Sequence, residues 1–202
     1  MARRIIVGIT GASGIAYGLR LLEVLRSGEM ETHLVMSRAA EAALATESHR
    51  KVADVHALAS VVHPVTDVGA PIASGSFRTD GMVIAPCSIR SLSEIATGVT
   101  SSLLTRAADV VLKERRRLVL LVRETPLHTG HLRTMTQASE MGAVIFPPVP
   151  AFYGWPESVQ DIVDQTVGRV LDLFDMENGL VRRWGEPDET GEAVRAFPSR
   201  RR

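Results

Sequence analysis

Two short stretches of this chain put small hydroxyl residues where an apolar run gives way to a helix-like one, and both suit an anion. In the first, Gly8, Gly11 and Gly14 punctuate GITGASG, with Thr10 and Ser13 between them. Glycine admits a tight turn and a close phosphate, the two hydroxyls can donate hydrogen bonds, and a helix N-terminus adds backbone donors and a favourable dipole. The plain alternative is an ordinary turn with a helix cap. The second stretch, residues 86–98 (PCSIRSLSEIATG), offers Ser88 and Ser91 to a phosphate or to the polar edge of a ring. The first is no P-loop, because the GK[ST] ending is missing. An NAD fingerprint fits poorly as well, since the acid wanted near the end of the second strand is absent and Glu31 stands at its start. A phosphate-bearing mononucleotide suits these residues better than either.

Several cations could complete such a site. Arg106 and Lys113 are seven apart, a spacing that puts both on one helix face. Arg123 and Glu124 follow a strongly apolar strand and stand just before Pro126, where a loop must begin. Arg169 lies on the last helix. Arginine brings a rigid bidentate fork to phosphate, and lysine a mobile point charge. Taken singly, each also reads as a solvated surface residue. Tyr153 can bond a phosphate through its hydroxyl while its ring borders an apolar group. Trp184 reads as a pocket or interface cover, or as simple packing near the chain end.

Other chemistries find less support. Cys87, the single cysteine, has no base at a readable spacing and is expected to be a small buried thiol. Ser88 has no Ser/His/Asp constellation around it. His128 and His131 are three apart, but the six histidines form no complete ligand pattern, so no metal site is expected.

The elements that must position these residues alternate between strand and helix. Arg4–Ile9, Glu31–Met36, residues 81–88, 117–124 and the start of 143–150 read as strands. Residues 15–26, 38–47, 92–97, 103–115, 131–141 and 158–174 read as helices, with 52–68 undecided apart from a short strand near 60–63. The expected fold is an α/β, three-layer Rossmann-like domain with a mainly parallel central sheet, whose carboxyl edge carries the ligand loops. That domain is expected over residues 1–185, with 186–202 a flexible tail. The chain has 202 residues, with 23 Lys plus Arg against 23 Asp plus Glu, so no overall field points to nucleic acid or an anionic membrane. No apolar run reaches membrane length, and a cytoplasmic location is expected.

The ordered succession GITGASG, LVMS, SGSFRTDGM, APCSIRSL, TRAADVVLKERR, LVLLVRETPL, the PP-P-AFY segment, GRVLD and RRW resembles the bacterial and fungal flavin prenyltransferases, from Ile5 to Trp184. ETHLVMS and SGSFRTDGM are similar, in particular, to small B subunits of hydroxyaryl-acid decarboxylase systems. The resemblance implies that Gly11, Ala12, Ser13, Ser37, Ser88, Ile89, Arg90, Ser91 and Arg123 contact FMN. It implies that Tyr153 and Arg169 meet the prenyl phosphate, and that Glu47, Arg106, Lys113 and Glu124 complete the active site. SSLL and LVRE depart from the family's usual Asn-Leu and LVPRE-like forms, and neither removes an expected charged residue.

The implied reaction joins a dimethylallyl group, from dimethylallyl phosphate, to reduced FMN and yields prenylated FMN for a decarboxylase that receives the cofactor. Arg106, Lys113, Tyr153 and Arg169 would handle phosphate, Trp184 would border the substrate, and Ser13, Glu47 and Glu124 would be the catalytic group. A homododecamer built from trimers is implied too. The competing readings are a flavin-dependent peptide-cysteine decarboxylase and a noncatalytic FMN-binding accessory subunit.

Overall fold

The structure is a computed structural model that describes residues 3–28 and 30–186. The expected tail lies, from residue 187 on, outside the described residues. The chain falls into two compact units, one ending at Pro148 and the second beginning at Val149.

The first unit is built on β1 (Arg4–Ile9), β2 (Glu31–Met36), β3 (Val61–His63), β4 (Gly81–Cys87), β5 (Arg117–Val122) and β6 (Ala143–Ile145). They form one sheet in the order β3-β2-β1-β4-β5-β6, and all five pairings are parallel. Parallel neighbours need crossover connections, which is why helices intervene. α1 (Ile15–Arg26) follows β1, and α2 (Arg38–Glu47) and α3 (Val52–His56) follow β2. α4 (Ile89–Ala96) and α5 (Leu103–Lys113) follow β4, and α6 (Thr129–Glu140) follows β5.

Alternation along the strands assigns the two faces. Ile6, Met82, Ile84, Leu118 and Leu120 share one core cluster with Leu92, Leu103, Leu104, Ala107, Val111 and Ala138 of α4, α5 and α6. α1 packs on β1, β2 and β4, where it buries Leu21, Leu22 and Leu25. The result is the expected three-layer α/β arrangement of Rossmann type. β4 is buried at every position, as a central strand covered on both faces must be.

Local chemistry moved several boundaries away from the sequence expectation. α4 begins at Ile89, not residue 92, because the Ser88 side chain accepts the Ser91 N–H at 3.3 Å and caps the helix there. α6 starts at Thr129, since His128 Nδ1 accepts from the Gly130 and His131 N–H groups at 3.0 and 3.3 Å. In the undecided stretch α3 forms, its first turn closed by the Asp54 carboxylate accepting the Lys51 N–H at 2.8 Å.

The second unit contains a short 3-10 turn, Phe152–Gly154, and α7 (Val159–Asp172). A reciprocal cap starts α7: Ser158 Oγ accepts the Asp161 N–H at 3.2 Å and the Asp161 carboxylate accepts the Ser158 N–H at 2.9 Å. The chain then doubles back along the helix. The Gly168 carbonyl accepts from Asn178 Nδ2 at 3.2 Å, and Gln165 Oε1 accepts the Arg182 N–H at 2.9 Å.

Candidate active site

The sheet order reverses direction between β1 and β4: the chain leaves β1 for β2 and β3 on one side, and builds β4, β5 and β6 on the other. At such a switch point the carboxyl ends of the two central strands splay their loops apart and leave a crevice. The loops at this edge hold Ser13 after β1, Ser37 after β2, Ser88 after β4, and Arg123 and Glu124 after β5.

Thr10 fastens the centre of this edge. Its buried hydroxyl donates to the Pro86 carbonyl at 2.7 Å and accepts the Ser88 N–H at 2.8 Å. Sequence reasoning offered this hydroxyl to a ligand; the fold uses it to tie the β1 loop to the β4 loop. Gly11 passes close over the first turn of α2, where an added Cβ would lie 2.3 Å from the Ala39 Cβ. Ala12 is buried and Ser13 exposed. Gly14 takes φ 105°, the left-handed region, and supplies no side-chain cap for α1.

Glu47, the last residue of α2, supplies that cap from another helix. Its Oε2 accepts the Gly14 N–H at 2.9 Å and the Ile15 N–H at 3.1 Å, and the Ser13 hydroxyl is near enough to stabilise the charged carboxylate. Burial alone would raise its pKa. The Gly14 N–H, the Ser13 hydroxyl, the Ile15 N–H and the charge of Arg123 outweigh that and hold it below the usual carboxylate range. Three residues far apart in sequence, Ser13, Glu47 and Arg123, are therefore within electrostatic reach of one another.

The remaining residues at this edge are held mainly by helix caps. Ser37 caps α2 by accepting the Ala40 N–H at 3.1 Å. Ser88 Oγ donates to Ser91 Oγ at 3.2 Å. Ile89 is half-buried, while Arg90 is exposed and its Nε donates to Glu94 at 2.9 Å. The Arg123 N–H donates to the Cys87 carbonyl at 3.1 Å, which sets the β5 exit against the β4 exit. Glu124 is exposed, one of its oxygens accepting the Thr125 N–H at 3.0 Å. Burial pushes the Cys87 thiol up to about 12, so it stays protonated and is no nucleophile near neutral pH.

Lys113 goes elsewhere in this unit. α5 runs back from the carboxyl edge, and β5 starts at Arg117, just beyond its end. Lys113 consequently lies at the amino edge, paired with Glu114 at 2.5 Å. Arg106, nearer the start of α5, donates to the Ala73 carbonyl at 3.2 Å and to Asp109 at 2.8 Å. Within one chain, Lys113 is not brought to Ser13, Ser88 or Arg123.

The second unit carries Tyr153, Arg169 and Trp184. The Tyr153 hydroxyl accepts from Gln165 Nε2 at 3.3 Å, and its ring meets that of Trp184 edge-on with centroids 5.5 Å apart. Arg169 stands one turn beyond Gln165 on the same face of α7 and donates through Nη1 to Asp172 at 2.8 Å. Sequence reasoning missed Gln165, Asp172 and Arg183. The first two stand at helical spacings from Arg169, which is a weak signal; the fold-back that delivers Arg183 has no local pattern. Among the described residues no group of three or more His, Cys, Asp or Glu could hold a metal ion.

Comparison with known proteins places this arrangement. A protein-family model for flavoproteins matches residues 1–171. Flavin prenyltransferase UbiX of Salmonella typhimurium is 60% identical over 185 residues, covering 90% of this chain and 98% of that protein. The crystal structure of AnUbiX in complex with FMN and dimethylallyl pyrophosphate is 52% identical with TM-score 0.90, covering 92% of this chain and 99% of that one. A dodecameric FMN-dependent UbiX-like decarboxylase from Escherichia coli O157:H7 is 50% identical with TM-score 0.88, covering 90% and 98%. With alignments that span nearly the whole of both chains, and with the serine, glutamate and arginine pattern at the carboxyl edge of a six-stranded parallel sheet, this chain belongs to the flavoprotein family and, within it, to the UbiX flavin prenyltransferases.

Proposed function

We propose that this protein joins the dimethylallyl group of dimethylallyl phosphate to N5 and C6 of reduced FMN, releasing phosphate and making prenylated FMN for a partner decarboxylase. One observation carries the reading: Ser13 and Arg123 both stabilise the charged Glu47 carboxylate, at the crevice edge where Glu124 follows Arg123. The donor set suits FMN, because Ser37, Ser88 and Ser91 offer hydroxyls, and Arg123 a cation, to a phosphate and a polar ring edge.

Reduced FMN supplies the nucleophilic N5 and C6, and the two protons these atoms give up go to the alkene carbon of the prenyl group and to the departing phosphate. Gly11, Ala12, Ser13, Ser37, Ser88, Ile89, Arg90, Ser91 and Arg123 bind and orient the flavin. Glu124 takes the ring proton, Ser13 aligns the departing phosphate and passes it a proton as its own oxygen accepts one, and the ionised Glu47 orients Ser13. Arg169 and Tyr153 neutralise the phosphate as the ester C–O bond breaks. The rings of Tyr153 and Trp184 border the allylic group and keep water from it. A monophosphate leaves less readily than a diphosphate, which makes that proton relay and the arginine fork more important.

Arg106 and Lys113 also handle phosphate in this reading. Because Lys113 lies at the amino edge of its own sheet, a neighbouring copy has to supply it to the flavin edge. A homododecamer built from trimers does so, and the dodecameric relative supports that assembly. We place the protein in the cytoplasm beside its decarboxylase.

The test is anaerobic incubation with reduced FMN and either dimethylallyl phosphate or the diphosphate. The expected result is phosphate release with a flavin heavier by one dimethylallyl unit, formed faster from the monophosphate. FMN binding without adduct would instead indicate an accessory subunit, and turnover of a peptide C-terminal cysteine the related decarboxylase chemistry. Glu124→Gln is expected to slow adduct formation by roughly 100-fold or more, with FMN affinity within about threefold of wild type. Equal losses in both would remove Glu124 from the acid–base role.

A further inference from the structure

Gln165, Arg169 and Asp172 form one stripe along α7, spaced four and then three residues apart, and the chain that doubles back along the helix meets this stripe at both ends. Gln165 receives the Arg182 N–H at 2.9 Å and donates to the Tyr153 hydroxyl at 3.3 Å. Asp172 receives both terminal nitrogens of Arg183, at 3.0 and 2.8 Å, together with Asn178 Nδ2 at 3.2 Å. Its fourth donor is Nη1 of Arg169, at 2.8 Å. Burial would raise the Asp172 pKa, but the Arg183 hydrogen bond and charge, and then those of Arg169, outweigh it and hold the carboxyl below its ordinary range. The group is an anion at neutral pH.

The geometry has a direction. Asp172 engages Arg169 through Nη1 alone, and among the described residues the Nε and Nη2 edge of that guanidinium has no other bond. That edge is the bidentate face with which arginine binds phosphate. Two arginines on one carboxylate also leave a net positive charge. Glu186 is 3.9 Å from Arg183 Nε but 66% exposed, so solvent screens most of its effect.

We infer that Asp172 is a positioning residue for the prenyl donor: it holds Arg169 by one nitrogen and presents the opposite guanidinium edge to the donor phosphate. This rests on the assignment of Arg169 to that phosphate. Asp172 touches no reacting atom. Its work is to remove the rotamer freedom that Arg169 would otherwise lose on binding.

The test compares wild type, Asp172→Asn and Asp172→Glu as full-length proteins. D172N is expected to raise KM for dimethylallyl phosphate about tenfold with kcat within about threefold and FMN affinity unchanged, the split expected of ground-state binding. D172E, which keeps the charge, should stay within about threefold of wild type. In an Arg169→Ala background D172N should change KM by less than about twofold, because residues acting as a unit are not additive. An unchanged KM in folded D172N, or full additivity with R169A, overturns the inference. If D172N does not fold, Arg183→Gln reads the same carboxylate from its other partner, with a KM rise of about threefold expected and a wild-type KM overturning the idea. Anaerobic turnover and calorimetry with inorganic phosphate together separate the two levels. Wild type without adduct defeats the prenyltransferase assignment, whereas equal phosphate affinity in wild type and D172N defeats only the role of Asp172.

Discussion

At the start of α1 the chain fills an anion site with a carboxylate of its own; along α7 a carboxylate is outnumbered by arginines. Glu47 accepts two backbone N–H groups at the α1 terminus and so uses the donors that a glycine loop would offer to a phosphate. Asp172 accepts from two arginines and an asparagine, leaving this carboxylate outnumbered and, among the described residues, one guanidinium edge of Arg169 open. The same chemical group closes one site and prepares the other. A glycine-rich turn before a helix therefore identifies a place where an anion is stabilised, without saying whose anion it is. Counting the local charges and the donors already engaged decides that.

The largest effect that would sharpen this contrast is expected at Arg169. Arg169→Ala should lower kcat/KM for dimethylallyl phosphate roughly 100-fold, as the loss of charge-assisted bonds to a phosphate implies, while FMN retention stays near wild type. Parallel loss of flavin, read by absorbance after gel filtration, would erase the distinction between the two regions. Next comes Gly11→Ala. With its Cβ 2.3 Å from the Ala39 Cβ, the β1 loop has to lift off α2, and urea unfolding should show a loss of about 1–3 kcal/mol. Wild-type stability would mean that the loop is not packed there.

A smaller loss is expected from Thr10→Val, which leaves the Ser88 N–H without its acceptor. The Pro86 carbonyl keeps the Thr10 N–H at 3.2 Å, so roughly 1–2 kcal/mol is expected by the same urea assay. The smallest and most diagnostic effect concerns Glu47. A carboxyl whose folded pKa is depressed adds stability above its unfolded pKa of about 4.3, and that stability is lost as pH falls through the folded value. Urea midpoints of wild type and Glu47→Gln should thus differ at neutral pH and converge in acid below pH 4. A gap that widens on acidification would contradict the depressed pKa and reopen α1 to an outside anion.

The strands show how much of the fold was legible. RIIVGI and RLVLLV are apolar over nearly their full length, which suits strands covered on both faces, and β1, α1, β2 and α2 lie where the hydrophobic pattern puts them. Helix starts were less legible, because one side chain sets them: Ser88 moves α4 and His128 moves α6. At the site, residue types at the strand exits were visible as candidates, and the family resemblance named them. Their partners were not, since Glu47 reaches the N-terminus of another helix and Arg183 arrives by a fold-back.

By itself, the amino-acid sequence determined the alternation of elements, the hydroxyl and arginine residues at the ends of apolar strands, and the succession of motifs that resembles one family. These are local properties, encoded in periodicity and in neighbouring residue types. Tertiary structure alone decided that Thr10 holds two loops together, that the α1 terminus is neutralised from α2, that Lys113 lies at the edge opposite Ser13, and that Asp172 stands between two arginines. Those outcomes depend on which segments come within hydrogen-bond range, where a shift of a few ångströms makes or breaks a contact, and no spacing along the chain encodes such a distance.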